Sequence, residues 1–261
     1  MISKRYQLPP GIMGFSYLRN RDGSVVGIKN TELNYFIIFR PNGRPPRSGI
    51  LLCQSLNSVL FKNDRVLDVG TGESALLAIH AIKLGAKGAI GIDIDPTAIK
   101  WAYKNTSANG LSKKISLRRI ALRNYKPDSL FNVIVANPPQ MPSKESKFFH
   151  DDGGKDGRRY IYQIINFAAR FLKPKGLLVF TAFDFLGINI SYNNRETIFD
   201  FLKQKGFSYK IVKRFQKVIK ENSYTNLCLP WIRKQYPSYV FRKNHSGDKT
   251  HLIYVIAAKK V

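Results

Sequence analysis

Apolar positions in the middle of this chain follow two alternating spacings. Short apolar and β-branched runs at Val66–Val69, Gly88–Ile92, Ile115–Ile120, Val133–Ala136 and Gly176–Phe183 have the length of buried strands. Between them, Glu73–Leu84, Pro96–Ala108 and Gly157–Leu172 switch to a helical period, and the last puts Ile161, Ile164, Ile165, Ala168 and Leu172 on one face. Strands alternating with helices predict an α/β fold with a doubly wound, mostly parallel sheet, whose ligands sit beyond the strand C-termini.

The flanks read differently. Before residue 50, Phe15–Leu18 and Val25–Ile28 flank Asn20–Ser24 like a hairpin, Tyr35–Phe39 is a further strand, and Pro9-Pro10-Gly11 punctuates the start. The stiff basic loop Arg40–Arg47 leads into a helix over Ile50–Phe61. We therefore expect a small β-rich, basic extension over 1–49 that contributes to the substrate mouth, and one larger domain over 50–261. At the far end, a helix over Glu196–Lys205 and strands over Gly206–Val212 and Leu252–Ala258 bracket a basic insertion at about 217–250.

Charge adds a partner class. The 261 residues hold 43 Lys and Arg against 17 Asp and Glu, a net charge of +26, and residues 201–261 carry 14 of the cations with only 2 acids. Such a field draws polyanions such as RNA or a ribosome. Tyr224, Trp231, Tyr236, Tyr239 and Phe241 interleave with cations in the insertion, a pattern suited to stacking on bases, or else to a packed insertion with a charged outer face. Two cysteines, Cys53 and Cys228, and four unpaired histidines give no structural metal site. No leader-like apolar segment and no run near the ~18 residues of a membrane span appears, so a cytoplasmic protein without membrane contact is expected.

The chemistry gathers at two strand ends. In Arg65-Val-Leu-Asp-Val-Gly-Thr-Gly-Glu-Ser-Ala75 a strand runs into Gly70 and Gly72, which allow positive φ and leave room for a ligand against the backbone, where a helix N-terminus would expose N–H groups. Asp93 ends the next strand about 20 residues on, placed to accept ribose hydroxyls; the glycine turn and this acid fit a nicotinamide dinucleotide equally well. Asp95 before Pro96 reads as a helix N-cap. The deciding motif is Asn137-Pro138-Pro139-Gln140 at the end of Asn132–Ala136. A planar amide or exocyclic nitrogen is a poor nucleophile because its lone pair is delocalised. The Asn137 side-chain oxygen and the Pro138 carbonyl can accept its two N–H hydrogens and turn the lone pair toward a methyl donor. Pro138 and Pro139 fix the backbone that holds these acceptors.

On these residues the chain resembles the class I S-adenosylmethionine-dependent methyltransferases, and within them the HemK family of glutamine N5-methyltransferases. The resemblance covers roughly residues 46–183 and rests on Val66–Gly72, Gly91–Pro96, Val133–Pro139, Asp151–Gly157 and Phe171–Gly176, with Pro46-Arg47-Ser48 more weakly similar. It implies a Rossmann-like fold and S-adenosylmethionine as cofactor. Asp68, Gly70 and Gly72 would hold the methionine part, Asp93 the ribose, and Asn137 with Pro138 the target nitrogen. Three departures stand out. Gln140 occupies the place of the family's usual Tyr. Ile120-Ala-Leu-Arg123 lacks the acid often found near the adenine. The helical N-terminal domain of the bacterial members is replaced by the β-rich segment. The reading is an N-methyltransferase acting on an amide nitrogen of a protein glutamine, with Asn137, Pro138, Pro139 and Gln140 as the catalytic set. The alternatives are an exocyclic amine of RNA or DNA, a small-molecule acceptor, and a non-catalytic RNA-binding module.

Overall fold

Which strand ends lie side by side decides where a ligand can sit, and that follows from strand order. A computed structural model of the chain describes residues 14–41, 43, 45–57, 62–144 and 151–261. Pro9–Gly11 and the end of the helix expected over Ile50–Phe61 lie outside the described residues. Contacts group into two compact units, Met1–Asn137 and Pro138–Val261.

The first unit opens with an antiparallel sheet of β1 (Phe15–Arg19), β2 (Val25–Asn30) and β3 (Tyr35–Ile38), followed by helix α1 (Arg47–Leu56). The α/β part then runs β4 (Arg65–Val69), α2 (Leu76–Lys83), β5 (Gly88–Asp93), α3 (Pro96–Ala108), β6 (Ile115–Arg119) and β7 (Phe131–Ala136). Its strands are all parallel, in the order β7-β4-β5-β6. The chain leaves β4 toward β5 and β6 and returns to its other side at β7, so the switch point lies beside the C-terminal end of β4. Leu67, Ile134, Val135 and Ala136 are wholly buried, which is why these strands are uninterruptedly apolar.

The extension is fastened to α3 by two asparagines. Asn105 accepts from the Ile38 N–H (2.8 Å) and donates to the Ile38 carbonyl (3.1 Å). Asn109, one turn on, accepts from the Phe36 N–H (3.0 Å) and donates to the Phe36 carbonyl (2.7 Å). A helical step of four residues (~6 Å) matches a strand step of two (~6.7 Å), so side-chain amides complete the open edge of β3. Beyond β3, Arg40 pairs with Glu73 at 2.6 Å, so the end of the extension reaches the glycine turn.

The second unit comprises α4 (Arg159–Phe171), β8 (Leu172–Phe183), α5 (Ile198–Gln204), β9 (Phe207–Val218), α6 (Tyr224–Leu227), α7 (Leu229–Gln235), β10 (Arg242–Lys243) and β11 (Lys249–Lys260). Strand β11 pairs antiparallel with β8 and β9, and β10 adds a short hairpin. The Ile161, Ile164, Ile165 and Ala168 face of α4 is buried as its period predicts. One expectation fails here. Strand β9 runs to Val218 instead of Val212, because β11 offers a partner along its whole length. The stretch that follows takes the form of the packed insertion: α6 and α7 fold within it, Tyr236 and Tyr239 are buried, and Tyr224, Trp231 and Phe241 are partly covered. Two of the five aromatic residues expected to stack on bases, Tyr236 and Tyr239, therefore build the inside of this unit. Among the described residues no helix is long and apolar enough to cross a membrane.

Candidate active site

Asp68 anchors the glycine turn from within. It is fully buried, and its Oδ2 accepts from the Thr71 hydroxyl (2.7 Å) and the Ala78 N–H (3.2 Å), tying the turn to the first turn of α2. Its Oδ1 is buried without a hydrogen-bond partner among the described residues. Burial pushes its carboxyl up to about 7, and the neighbouring Asp93 charge adds to the rise, against the lowering by Thr71 and Ala78.

Gly70 (φ 70°) and Gly72 (φ 64°) adopt the left-handed conformation that their sequence positions imply. The Gly70 and Thr71 N–H groups both donate to the Ile92 carbonyl, at 2.9 and 3.0 Å. A Cβ added at Gly70 would meet nothing within 4 Å, and one at Gly72 only the Gly70 carbonyl at 4.0 Å, so open space lies against both glycines. The helix begins at Leu76, three residues later than its period predicted, because Ala75 turns left-handed at φ 46°. The expected array of free helix N–H groups is accordingly reduced, since Ser74 accepts from Leu76 (3.3 Å) and Asp68 from Ala78.

Asp93 does more than its sequence position suggested. Its Oδ2 accepts from the Gly72 N–H (3.0 Å) and its Oδ1 from the Asp95 N–H (3.0 Å), so it braces the glycine turn across the ends of β5 and β4. It is only half-buried, leaving each oxygen a lone pair for a ligand hydroxyl. Ile94, immediately after it, is 41% exposed, an apolar surface at the same strand end that the motif search missed. Asp95 caps α3, accepting from Thr97 at 2.8 Å. Asn137 completes this group of strand ends. Val69 pairs with Ala136 on one side and with Ile92 on the other, so Gly70, Asp93 and Asn137 follow three aligned strand ends. Asn137 is half-buried.

Pro138, Pro139 and Gln140 belong to the second unit, where the loop Asp151–Gly157 supports them. The Met141 N–H donates to the Asp151 carbonyl (2.8 Å), the Gly153 N–H to the Met141 carbonyl (2.9 Å), and the Ser143 N–H to the Gly154 carbonyl (3.1 Å). Two of the loop's acids form turns, Asp152 accepting from Gly154 (2.8 Å) and Asp156 from Arg158 (3.0 Å). Gln140 is buried, with its Oε1 accepting from the Phe183 N–H (2.7 Å) and its Nε2 near the Thr181 hydroxyl (3.3 Å) and the Pro138 carbonyl (3.4 Å). In this structure that side chain braces β8. Replacing Gln140 by alanine should leave the buried Phe183 N–H unsatisfied. The expected cost is about 1–3 kcal/mol of stability with cofactor affinity unchanged. Paired thermal melts and calorimetry check this, and a stable variant with impaired acceptor binding would return Gln140 to the substrate.

Comparison with known proteins adds sequence relationship to this geometry. Residues 50–138 match the family model described as ribosomal protein L11 methyltransferase (PrmA). A protein of Methanocaldococcus jannaschii, provisionally named a protein N5-glutamine methyltransferase, is 34% identical over 187 residues, which is 68% of this chain and 86% of that protein. The ribosomal protein L11 methyltransferase of Histophilus somni is 41% identical over 104 residues, covering 40% of this chain and 33% of that enzyme. Among solved structures, the YcgJ protein of Bacillus subtilis aligns with a TM-score of 0.53 at 14% identity, covering 82% of this chain and 97% of that one. A methyltransferase of Pyrococcus furiosus aligns at 0.50 with 18% identity, covering 84% and 87%. These alignments establish the fold, a Rossmann-like α/β architecture with a small β-rich N-terminal addition.

Proposed function

The chain belongs to the S-adenosylmethionine-dependent protein N5-glutamine methyltransferase family, and from that premise we propose that it methylates the side-chain amide nitrogen of a glutamine in a protein. The observation that carries this reading is Asn137-Pro138-Pro139 directly after β7, whose end aligns with the glycine turn of β4. Bound S-adenosylmethionine supplies the electrophilic methyl group. The open space at Gly70 and Gly72 fits a ligand lying on the turn, Asp93 keeps lone pairs for the ribose hydroxyls, and Ile94 offers an apolar surface for the base. The Asn137 side-chain oxygen and the Pro138 carbonyl would accept the two amide hydrogens, rotating the lone pair out of conjugation. Transfer would break the donor's sulfur–methyl bond, leaving a neutral thioether, as the new C–N bond forms; one of the amide protons would then leave, and half-buried Asn137 leaves water a way to take it.

Asp68 makes the cofactor step pH-dependent. With its carboxyl pushed up to about 7 in the free chain, Asp68 titrates in the neutral range. A cationic ligand beside the turn favours the ionised form, so binding should release a proton and strengthen as pH rises through about 7. Titration calorimetry in buffers of different ionisation enthalpy measures that proton, and Asp68→Asn should flatten the profile. An unchanged profile in the variant would remove Asp68 from cofactor binding.

The acceptor is tested by methyl transfer from radiolabelled S-adenosylmethionine into a lysate lacking this protein. Label released by protease alone supports a protein acceptor; label released by nuclease alone overturns it in favour of a nucleobase amine.

A further inference from the structure

In the second unit a cavity of about 420 Å³ is walled by Lys155 of the Asp151–Gly157 loop, by Tyr192, Asn193 and Arg195, and by Trp231 and Lys234 of α7. Among the described residues no carboxylate lines it, and Asp156 pairs with its wall loosely, at 3.7 Å from Arg195. Three cations with so little compensation make it an anion site by charge. Its aromatic rings are fixed in place. The Trp231 Nε1–H donates to the Lys155 carbonyl at 2.8 Å, and Tyr192 packs edge-on against Tyr239 with ring centroids 5.0 Å apart. The Lys234 ammonium lies 5.4 Å from the Trp231 ring centre. Asn193 accepts from the Arg195 N–H at 3.3 Å through its oxygen, while its Nδ2 is buried with no hydrogen-bond partner among the described residues.

A lone phosphate would satisfy the cations but leave the rings and most of the volume unused. The size falls in the range of cavities that hold cofactor-sized ligands, about 300–1,000 Å³. Cations for a phosphate and a fixed ring for a base together describe a nucleotide. We propose that this cavity binds one nucleotide of a single-stranded RNA, with its phosphate at Lys155, Arg195 and Lys234 and its base against Trp231. The loop that supplies Lys155 also pairs with Met141, two residues beyond the second proline of the Asn-Pro-Pro motif. A bound nucleotide therefore rests on the support of that motif. The inference stands on the cavity and is independent of which nitrogen is methylated.

The test uses the full chain and a fluorescein-labelled, mixed-sequence ten-nucleotide RNA, followed by anisotropy, with AMP, UMP, inorganic phosphate and a polyglutamate peptide as competitors. Trp231→Ala should weaken binding ~10-fold or more, and Trp231→Phe, which keeps a ring but loses the Lys155 contact, should stay near wild type. Arg195→Gln with Lys234→Gln should weaken binding at least ~10-fold and reduce the salt slope by about 0.7, one single-strand phosphate contact. The mononucleotides should compete far better than phosphate. Trp101→Ala, which removes a comparable tryptophan beside Lys104 on α3, should change nothing. Equal competition by phosphate, displacement by polyglutamate in preference to nucleotide, or equal effects of the two tryptophan-to-alanine changes would each overturn the proposal.

Discussion

Asn137→Ala is expected to reduce methyl transfer by roughly 100- to 1,000-fold or more at saturating cofactor, the range seen when one preorganised polar group is removed from a reacting centre. The chemistry calls for two acceptors on one planar nitrogen. With the Asn137 oxygen gone, the amide can be held by one hydrogen alone, and its lone pair relaxes into the carbonyl π system. Cofactor affinity should hold within about twofold, because Asp68, Gly70, Gly72 and Asp93 make the turn without Asn137. Single-turnover transfer and titration calorimetry on the same preparation separate the two effects. Full activity in the variant would refute the lone-pair mechanism, and joint loss of cofactor binding would reassign Asn137 to the cofactor.

Gly153→Ala should be strongly damaging although it lies remote from the reacting atoms. Gly153 is not left-handed, so its requirement is one of space. An added Cβ would stand 2.5 Å from the Gly157 carbonyl oxygen and 2.6 and 2.8 Å from the Gln140 Cα and C atoms. All three are backbone atoms and cannot rotate away, so the loop must move off the Pro138–Met141 segment it supports. Overpacking of this kind costs about 1–3 kcal/mol, and for a chain of this size each kcal/mol lowers Tm by about 2–4 °C. Displacing the Pro138 carbonyl should also cut acceptor methylation ~10- to 100-fold, since an error of about 1 Å in a positioned group costs that much. Gly206→Ala is the control. Gly206 is left-handed at φ 76° with nothing among the described residues within 4 Å of an added Cβ, so alanine there should cost about 1–2 kcal/mol of backbone strain while methyl transfer holds. Equal activity losses in both variants would mean that the loop does not position the motif.

These expectations rest on features of unequal visibility in the sequence. The glycine turn, Asp93 and Asn-Pro-Pro were legible because each couples a strand end to residues of restricted or permissive backbone, and the structure puts Gly70, Asp93 and Asn137 after aligned strands. The α4 stripe was legible because one face of a helix meets a sheet. The bracing of β8 by Gln140 was not legible, since its amide partners, Thr181 and Phe183, lie more than 40 residues away, and no local pattern announces such a pairing. The docking of β3 by Asn105 and Asn109 was hidden for the same reason. The basic insertion was read from composition, which cannot say which way a ring points: Tyr236 and Tyr239 turn inward, while Trp231 is left at a cavity wall. The late start of α2 depends on a single left-handed alanine, Ala75, which sequence preference alone disfavours.

The central claim is that the methyl group ends on a glutamine amide nitrogen, and the most direct measurement is the chemistry of the labelled product. Protein labelled by the wild-type chain should release its radioactivity as volatile methylamine on alkaline hydrolysis, because that treatment breaks the amide bond and leaves the new C–N bond intact. Peptide mass spectrometry should then place the methyl on one glutamine, absent after labelling with Asn137→Ala. Label that stays with the protein through hydrolysis, as on lysine, or that travels with nucleosides, would contradict the account.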